Sequence, residues 1–330
     1  MERREFIKSA AGAAFASVVG VPQQAFAATG EIPRRTLGRT GAKVSIVGIG
    51  GYHIGSKSVS EEMGIRIVRT ALDSGINFLD NCWDYNDGES ERRMGRALRD
   101  GYRQKAFLMT KVDGRTAVEA QRQLDESLSR LQTDHIDLIQ VHEVIRMNDP
   151  ERVFAPGGAM ETLEKARKAG KVRFIGFTGH KSPAMHLHMI ETATKHNYTF
   201  DTVQMPINVM DAQYNSFAGQ VIPVASRLKM GILGMKSIGG GVFVQSKTVK
   251  PVECLHYAMS QQVDCVITGC DSMTILDQAL GLARNFQPLS HAEIKELLAR
   301  TSTEAANGEL EKYKNSTNFD GTGHNPQWLG

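Results

Sequence analysis

AFLMTKVDGRTAVEAQRQLDESLSRLQTDHIDLIQVH, residues 106–142, contains the pattern that sets the fold. Ala106–Thr110 is a short apolar run. Ala117–Leu131 places Ala120, Leu124, Leu128 and Leu131 on one face at helical spacing. Ile136–Val141 is a second apolar run, so the stretch predicts strand, helix and strand. The same alternation extends in both directions, through Val44–Gly50 and Ile76–Asp80 before it and Val172–Phe177, Thr202–Met205, Gly231–Met235 and Val263–Thr268 after it. Between the first two runs, Glu61–Ser74 spaces Ile65, Val68, Ala71 and Leu72 as an amphipathic helix, and Gly75, Gly170 and Gly231 sit where helices should stop. Eight such runs alternating with helices predict a (β/α)8 barrel with parallel strands. A doubly wound open sheet is the alternative, but no Gly-x-Gly-x-x-Gly opens a helix after the first strand.

No Pro/Ser-rich linker interrupts residues 31–290, which predicts a single domain over 31–330, with the barrel at about 44–286 and a C-terminal extension over 287–330. Arg35–Val44 reads as a hairpin turning at Gly38 to Gly41, placed to cap the bottom of the barrel. The extension is helical to about Tyr313 and then rich in Asn, Gly and Thr. The chain is 330 residues long, 41% hydrophobic and 23% charged, with a net charge of +3 and no Lys/Arg stripe, so a nucleic-acid partner is not expected. Its four cysteines form no Cys-x-x-Cys pair. Among ten histidines, His53 stands alone at the end of the first strand, and His186 and His188 are two apart on a helix, so no metal is expected.

Residues 1–27 read as a signal peptide. The charged start Arg3-Arg4-Glu5-Phe6-Ile7-Lys8 precedes a mild apolar run and the small residues of Ala25-Phe26-Ala27. The paired arginines resemble a twin-arginine export signal. The implied location is periplasmic or otherwise exported, the implied partner is the twin-arginine machinery, and no membrane span remains after cleavage.

In a barrel of this kind, chemistry belongs at the C-terminal strand ends. Those ends carry Asp80, with Tyr85 five residues on, then Lys111 and His142. The set suits carbonyl reduction, because hydride addition leaves an alkoxide that needs a proton. A phenol with a pKa of about 10 is a weak donor unless a neighbouring ammonium lowers that value. An aspartate would hold the lysine, and a histidine would polarise the carbonyl.

Gly75-Ile76-Asn77-Phe78-Leu79-Asp80 through Tyr85 and Gly88-Glu89-Ser90-Glu91, with Leu131–Leu138 leading to His142, resembles the signatures of the aldo-keto reductase family. The resemblance spans nearly all of the mature chain. It implies NADP(H) or NAD(H) as cofactor, an aldehyde, ketone or sugar substrate, and Asp80, Tyr85, Lys111 and His142 as the catalytic tetrad. It places Gly50, Gly51, Tyr52, Asp80, Thr178, Gln204, Met235, Lys236, Ile238, Gly240, Gly269, Cys270, Asp271 and Gln278 at the cofactor. His53, Trp83 and His180 are the candidate substrate-pocket residues.

Several positions depart from the family pattern. Thr178-Gly179-His180 stands where Ser-Asn usually grips the carboxamide, and Met235 replaces the tyrosine that stacks on the nicotinamide. Gly269 and Ile275 replace the Lys and Arg that bind a 2′-phosphate, and Gln278-Ala279 replaces Glu-Asn at the adenine. Losing two cations makes NADH credible. A cofactor-binding redox sensor on the same fold is the alternative function.

Overall fold

The computed structural model describes residues 30–330, so the predicted signal peptide lies outside the described residues. Eight parallel strands close into a barrel: β3 Val47–Gly50, β4 Phe78–Asp80, β5 Phe107–Val112, β6 Ile136–Val141, β7 Val172–Thr178, β8 Thr202–Pro206, β9 Gly231–Met235 and β10 Cys265–Gly269. Each is hydrogen-bonded to the next, and β10 returns to β3. Closure rules out the open doubly wound sheet.

A helix follows every strand: α1 Glu61–Asp73, α2 Glu89–Ala97, α3 Ala117–Leu131, α4 Ala159–Lys168, α5 Pro183–Lys195, α6 Ile222–Arg227, α7 Pro251–Ser260 and α8 Met273–Arg284; α9 His291–Ala305 lies beyond the barrel. Ser60 caps α1 by accepting from Met63 N, and Thr116 caps α3 by accepting from Glu119 N. The buried face of α1 is Gly64, Ile67, Val68, Ala71 and Leu72, and Ile65 is only half-buried. In α3 the buried row includes Gln123, whose Oε1 accepts from Asp113 N and Gly114 N and so satisfies the loop leaving β5.

The predicted first strand divides in two. Lys43–Ser45 (β2) pairs antiparallel with Arg34–Thr36 (β1), and the chain bends at Ile46 before β3 begins. This hairpin closes the N-terminal end of the barrel. Leu37, with no exposed surface, joins Phe78, Phe107, Met109, Leu138, Leu233, Cys265 and Ile267 in the cluster that fills the interior. Gly231 opens β9 and stops no helix: a Cβ there would meet the Leu37 side chain at 2.6 Å, so the glycine is required by the plug.

At the opposite end, residues 311–330 fold back over the mouth as short helical turns at Lys312–Asn315, Gly321–His324 and Pro326–Leu329. Glu143 pins this tail by accepting from Gly321 N at 2.9 Å, Thr322 N at 2.7 Å and Thr322 Oγ1 at 2.8 Å. Asp320 bonds His180 at 3.1 Å and Lys181 at 2.8 Å, and Leu329 O accepts from Arg115 N.

Candidate active site

The loop after β4 and the ends of β5 and β6 bring the four expected residues together. The buried Lys111 ammonium bonds the Asp80 carboxylate, donates to Asn81 O at 2.7 Å and lies 3.4 Å from Tyr85 Oη. The His142 ring stands edge-on to the Tyr85 ring, centroids 6.0 Å apart. Burial drives the Tyr85 phenol well above its ordinary pKa, and Asp80, Cys82, Asp84 and Glu143 add to the rise. The sequence reading expected Lys111 to draw this pKa down. In the folded site, desolvation and nearby carboxylates prevail, so the phenol keeps its proton.

Behind His142 lies a polar cluster that the sequence reading missed. Nδ1 of His142 is 2.9 Å from Asp113 Oδ1, 3.2 Å from Cys82 Sγ and 3.7 Å from Asp84 Oδ1. A carboxylate can only accept, so Nδ1 carries the proton toward Asp113 and Nε2 is left for the mouth. Burial opposes charge on the imidazole, but Asp113, Asp84 and Glu143 outweigh it and raise its pKa. Burial, reinforced by Asp113, pushes Asp84 up to about 7. Cys82, Asp84, Asp113 and His142 offer four donor atoms within 4.8 Å of one another, a set whose residue types could hold a divalent cation. One signal was available in the sequence: Lys111 and Asp113 are two apart across the end of β5, on the same side of the strand.

Buried polar atoms without partners mark where a carboxamide fits. Gln204 donates through Nε2 to Asp80 Oδ2 at 2.7 Å, which leaves its Oε1 unbonded; Thr178 Oγ1 and Asn81 Nδ2 are also unbonded. Together they offer an acceptor for an amide N–H and donors for its carbonyl, which suits nicotinamide. Gly50 ends β3 and Gly51 follows it beside this set, and a Cβ on Gly51 would meet Asn81 Cγ at 2.7 Å. Tyr52 is exposed, with its ring edge-on to Tyr85 at 5.4 Å. Met235, Lys236 and Ile238 line the end of β9 and are half-buried. Gly240 is exposed with a left-handed φ of 68°.

At β10, Cys270 is buried, Asp271 and Gln278 are exposed, Ile275 is exposed and Ala279 is covered. The three candidate substrate residues separate. His53 packs against Gly269, where a Cβ would meet its ring at 2.2 Å. Trp83 is committed to α3 and the tail: its Nε1 donates to Glu126 at 2.7 Å and its ring meets Trp328 edge-on at 5.5 Å. His180 alone lies under the tail, bonded to Asp320 and beside Tyr313 at 6.5 Å between ring centroids.

A closed parallel barrel with this tetrad at its C-terminal mouth defines a class of protein, and sequence comparison gives the family. Residues 46–253 match the Aldo/keto reductase family, and the chain belongs to it. Aldo-keto reductases use NADP(H) or NAD(H). The L-galactose dehydrogenase of Arabidopsis thaliana is 35% identical over 160 residues, covering 45% of this chain and 49% of that protein. The aldo-keto reductase YhdN of Bacillus subtilis is 29% identical over 227 residues, 64% of each chain. The chain therefore spans about half to under two thirds of these curated relatives. In fold, it is similar to the aldo-keto reductase AKR11C1 from Bacillus halodurans in its holo form: TM-score 0.68, 21% identity, 82% of this chain and 96% of that one. Among the described residues, no helix is long and apolar enough to cross a membrane.

Proposed function

We propose that this protein is an NAD(P)H-dependent oxidoreductase interconverting a carbonyl and an alcohol, with Tyr85 as proton donor. The observation that carries the reading is the Lys111 ammonium, which joins Asp80, the Asn81 carbonyl and the Tyr85 hydroxyl in one buried set. When bound, the dinucleotide supplies or takes the hydride. Gln204, Thr178 and Asn81 would hold its carboxamide through their unbonded atoms.

A substrate carbonyl oxygen accepts from Tyr85 Oη, and from Nε2 of His142 when the imidazole, whose pKa is raised, is protonated on both nitrogens. As negative charge develops on that oxygen, the phenol passes its proton and the nascent phenolate is stabilised by the adjacent ammonium. The raised phenol pKa keeps Tyr85 protonated before the step. Lys111 acts on the phenolate, the species it can stabilise directly. Asp113 fixes the tautomer and orientation of His142, and Asp80 fixes Lys111.

Neutral Gly269 and Ile275 leave a 2′-phosphate without the expected cations, so NADH and NADPH are used with little discrimination. The test is a panel of aldehydes assayed with both cofactors in wild type and Tyr85→Phe. Tyr85→Phe loses ~10²-fold or more in carbonyl reduction, the scale of a lost general acid, while still binding cofactor. Near-normal turnover in that variant refutes the assignment. A preference for NADPH above ~100-fold, ~2.7 kcal/mol, refutes the reading of Gly269 and Ile275.

We also propose that residues 1–27 direct the chain to the twin-arginine machinery and out of the cytoplasm. The support is their charge, apolar run and small residues in order. Replacing Arg3 and Arg4 with Lys retains precursor in the cytoplasm; unimpaired export of that variant refutes the route.

A further inference from the structure

Lys236 is the first residue after β9, with a left-handed backbone (φ 54°) and its carbonyl accepting from Gly239 N at 3.1 Å. Its ammonium lies over two rings of the tail, 5.3 Å from the centroid of Tyr313 and 4.8 Å from that of Phe319. These rings meet edge-on at 6.2 Å and form one wall of the mouth. The other lysines held around the mouth each have a carboxylate: Lys111 has Asp80, Lys181 has Asp320, and Lys314 has Asp211 and Glu311. Among the described residues, no carboxylate lies within ion-pair distance of Lys236.

Glu143, the carboxylate whose field reaches it, has both oxygens occupied by Gly321 and Thr322 of the tail. Lys236 also lies within the field of Lys111 and acts in turn on His53 and His180, which places its charge beside the tetrad. Burial pulls its pKa down to about 8, a value that still leaves it mostly cationic at neutral pH. Even a half-buried cation is costly to hold off water without an anion, and aromatic faces offset only part of that cost.

On the reading that Tyr85 and His142 hold a carbonyl, we propose that the substrate carries an oxyanion, a carboxylate or a phosphate, and that Lys236 receives it beneath Tyr313 and Phe319. The carbonyl end lies on Tyr85 and His142, and the anionic end turns toward the tail. The pocket then selects carbonyl acids or carbonyl phosphates over neutral aldehydes, and Lys236 serves the substrate in place of the cofactor's pyrophosphate.

The experiment uses cofactor-loaded protein, wild type, Lys236→Met and Lys236→Arg, with matched probes: succinic semialdehyde against butanal, and glyceraldehyde 3-phosphate against glyceraldehyde. Wild type favours at least one charged member by 10-fold or more in kcat/KM. That ratio collapses toward unity in Lys236→Met and is partly restored in Lys236→Arg. A second arm needs no turnover: succinate and inorganic phosphate are titrated calorimetrically, and whichever anion binds wild type binds Lys236→Met at least 10-fold more weakly. Thermal melting confirms that each variant is folded, and Lys236→Arg keeps the test decisive if Lys236→Met is not. The proposal is overturned by a wild-type ratio near one with both pairs, or by a ratio unmoved in Lys236→Met. It is equally overturned if Lys236→Met weakens cofactor binding 10-fold and leaves substrate preference intact, because Lys236 would then grip the pyrophosphate. Lys236-dependent anion binding without turnover of any aldehyde supports the anion site and refutes the catalytic reading instead.

Discussion

Replacing Asp113 with Asn removes the charge behind His142 and keeps an oxygen that can accept from Nδ1. At 2.9 Å, two full charges interact by on the order of 6 kcal/mol at an effective dielectric near 20. Much of that is not lost, because Asp84, 3.7 Å from the same nitrogen, remains and becomes easier to ionise once Asp113 is neutral. The net expectation is a fall in the His142 pKa, because burial, which lowers it, is unchanged while the carboxylate that raises it most is gone. A raised imidazole pKa stabilises the fold below the unfolded value of about 6.5, and that contribution disappears as pH rises through the higher folded value. Asp113→Asn therefore costs stability in acid and little in alkali. The assay is NMR titration of the histidine ring protons, with His142 assigned by its own substitution, beside a kcat/KM–pH profile. The His142 titration and the matching limb of the profile move to lower pH together. An imidazole that titrates unmoved in Asp113→Asn refutes the argument that this carboxylate holds the proton on Nδ1.

Two further substitutions address stability. Asp84, raised to about 7 mainly by burial and Asp113, binds a proton in the folded state where the unfolded chain has released it, so its contribution is lost as pH rises from about 4 through that folded value. Asp84→Asn should leave stability near pH 4 almost unchanged and raise it at pH 8 by on the order of 1–3 kcal/mol; a lower melting temperature at pH 8 would count against the reading. Leu37→Ala opens a void beneath the barrel interior, where Leu37 has no exposed surface, and should cost ~2–5 kcal/mol in chemical denaturation; a loss well under 1 kcal/mol would mean that the hairpin does not plug the barrel.

The barrel was legible because its strands are buried on both faces and read as continuous apolar runs, such as Ile136–Val141, that stand out against amphipathic helices like Ala117–Leu131. The bend at Ile46 was not legible. The run Val44–Gly50 is apolar throughout, and only pairing with Arg34–Thr36 shows where the hairpin ends and the barrel begins. Asp80, Tyr85, Lys111 and His142 were legible as polar groups at the ends of apolar runs. Asp113, Asp84 and Cys82 were not singled out, because their role is set by a histidine that β6 delivers from 29 residues beyond Asp113 and 60 beyond Cys82. The tail was the least readable part. Tyr313, Phe319 and Asp320 have no periodicity, and their meaning comes from Lys236, Glu143 and His180, contacts between distant parts of the chain.

Gln204 has a consequence for which dinucleotides the site admits. Its amide is not free to turn over, because Asp80 can only accept and so fixes the nitrogen on that side. The oxygen left toward the mouth therefore demands a donor, and of the two ends of a carboxamide only the N–H₂ satisfies it. The amide of a bound nicotinamide would therefore turn its N–H₂ toward Gln204. A deamidated dinucleotide, with a carboxylate in place of the amide, would set an anion against the Gln204 oxygen with Asp80 behind it. Gln204, which steadies Asp80, would thus also disfavour the acid form of a bound dinucleotide by polarity.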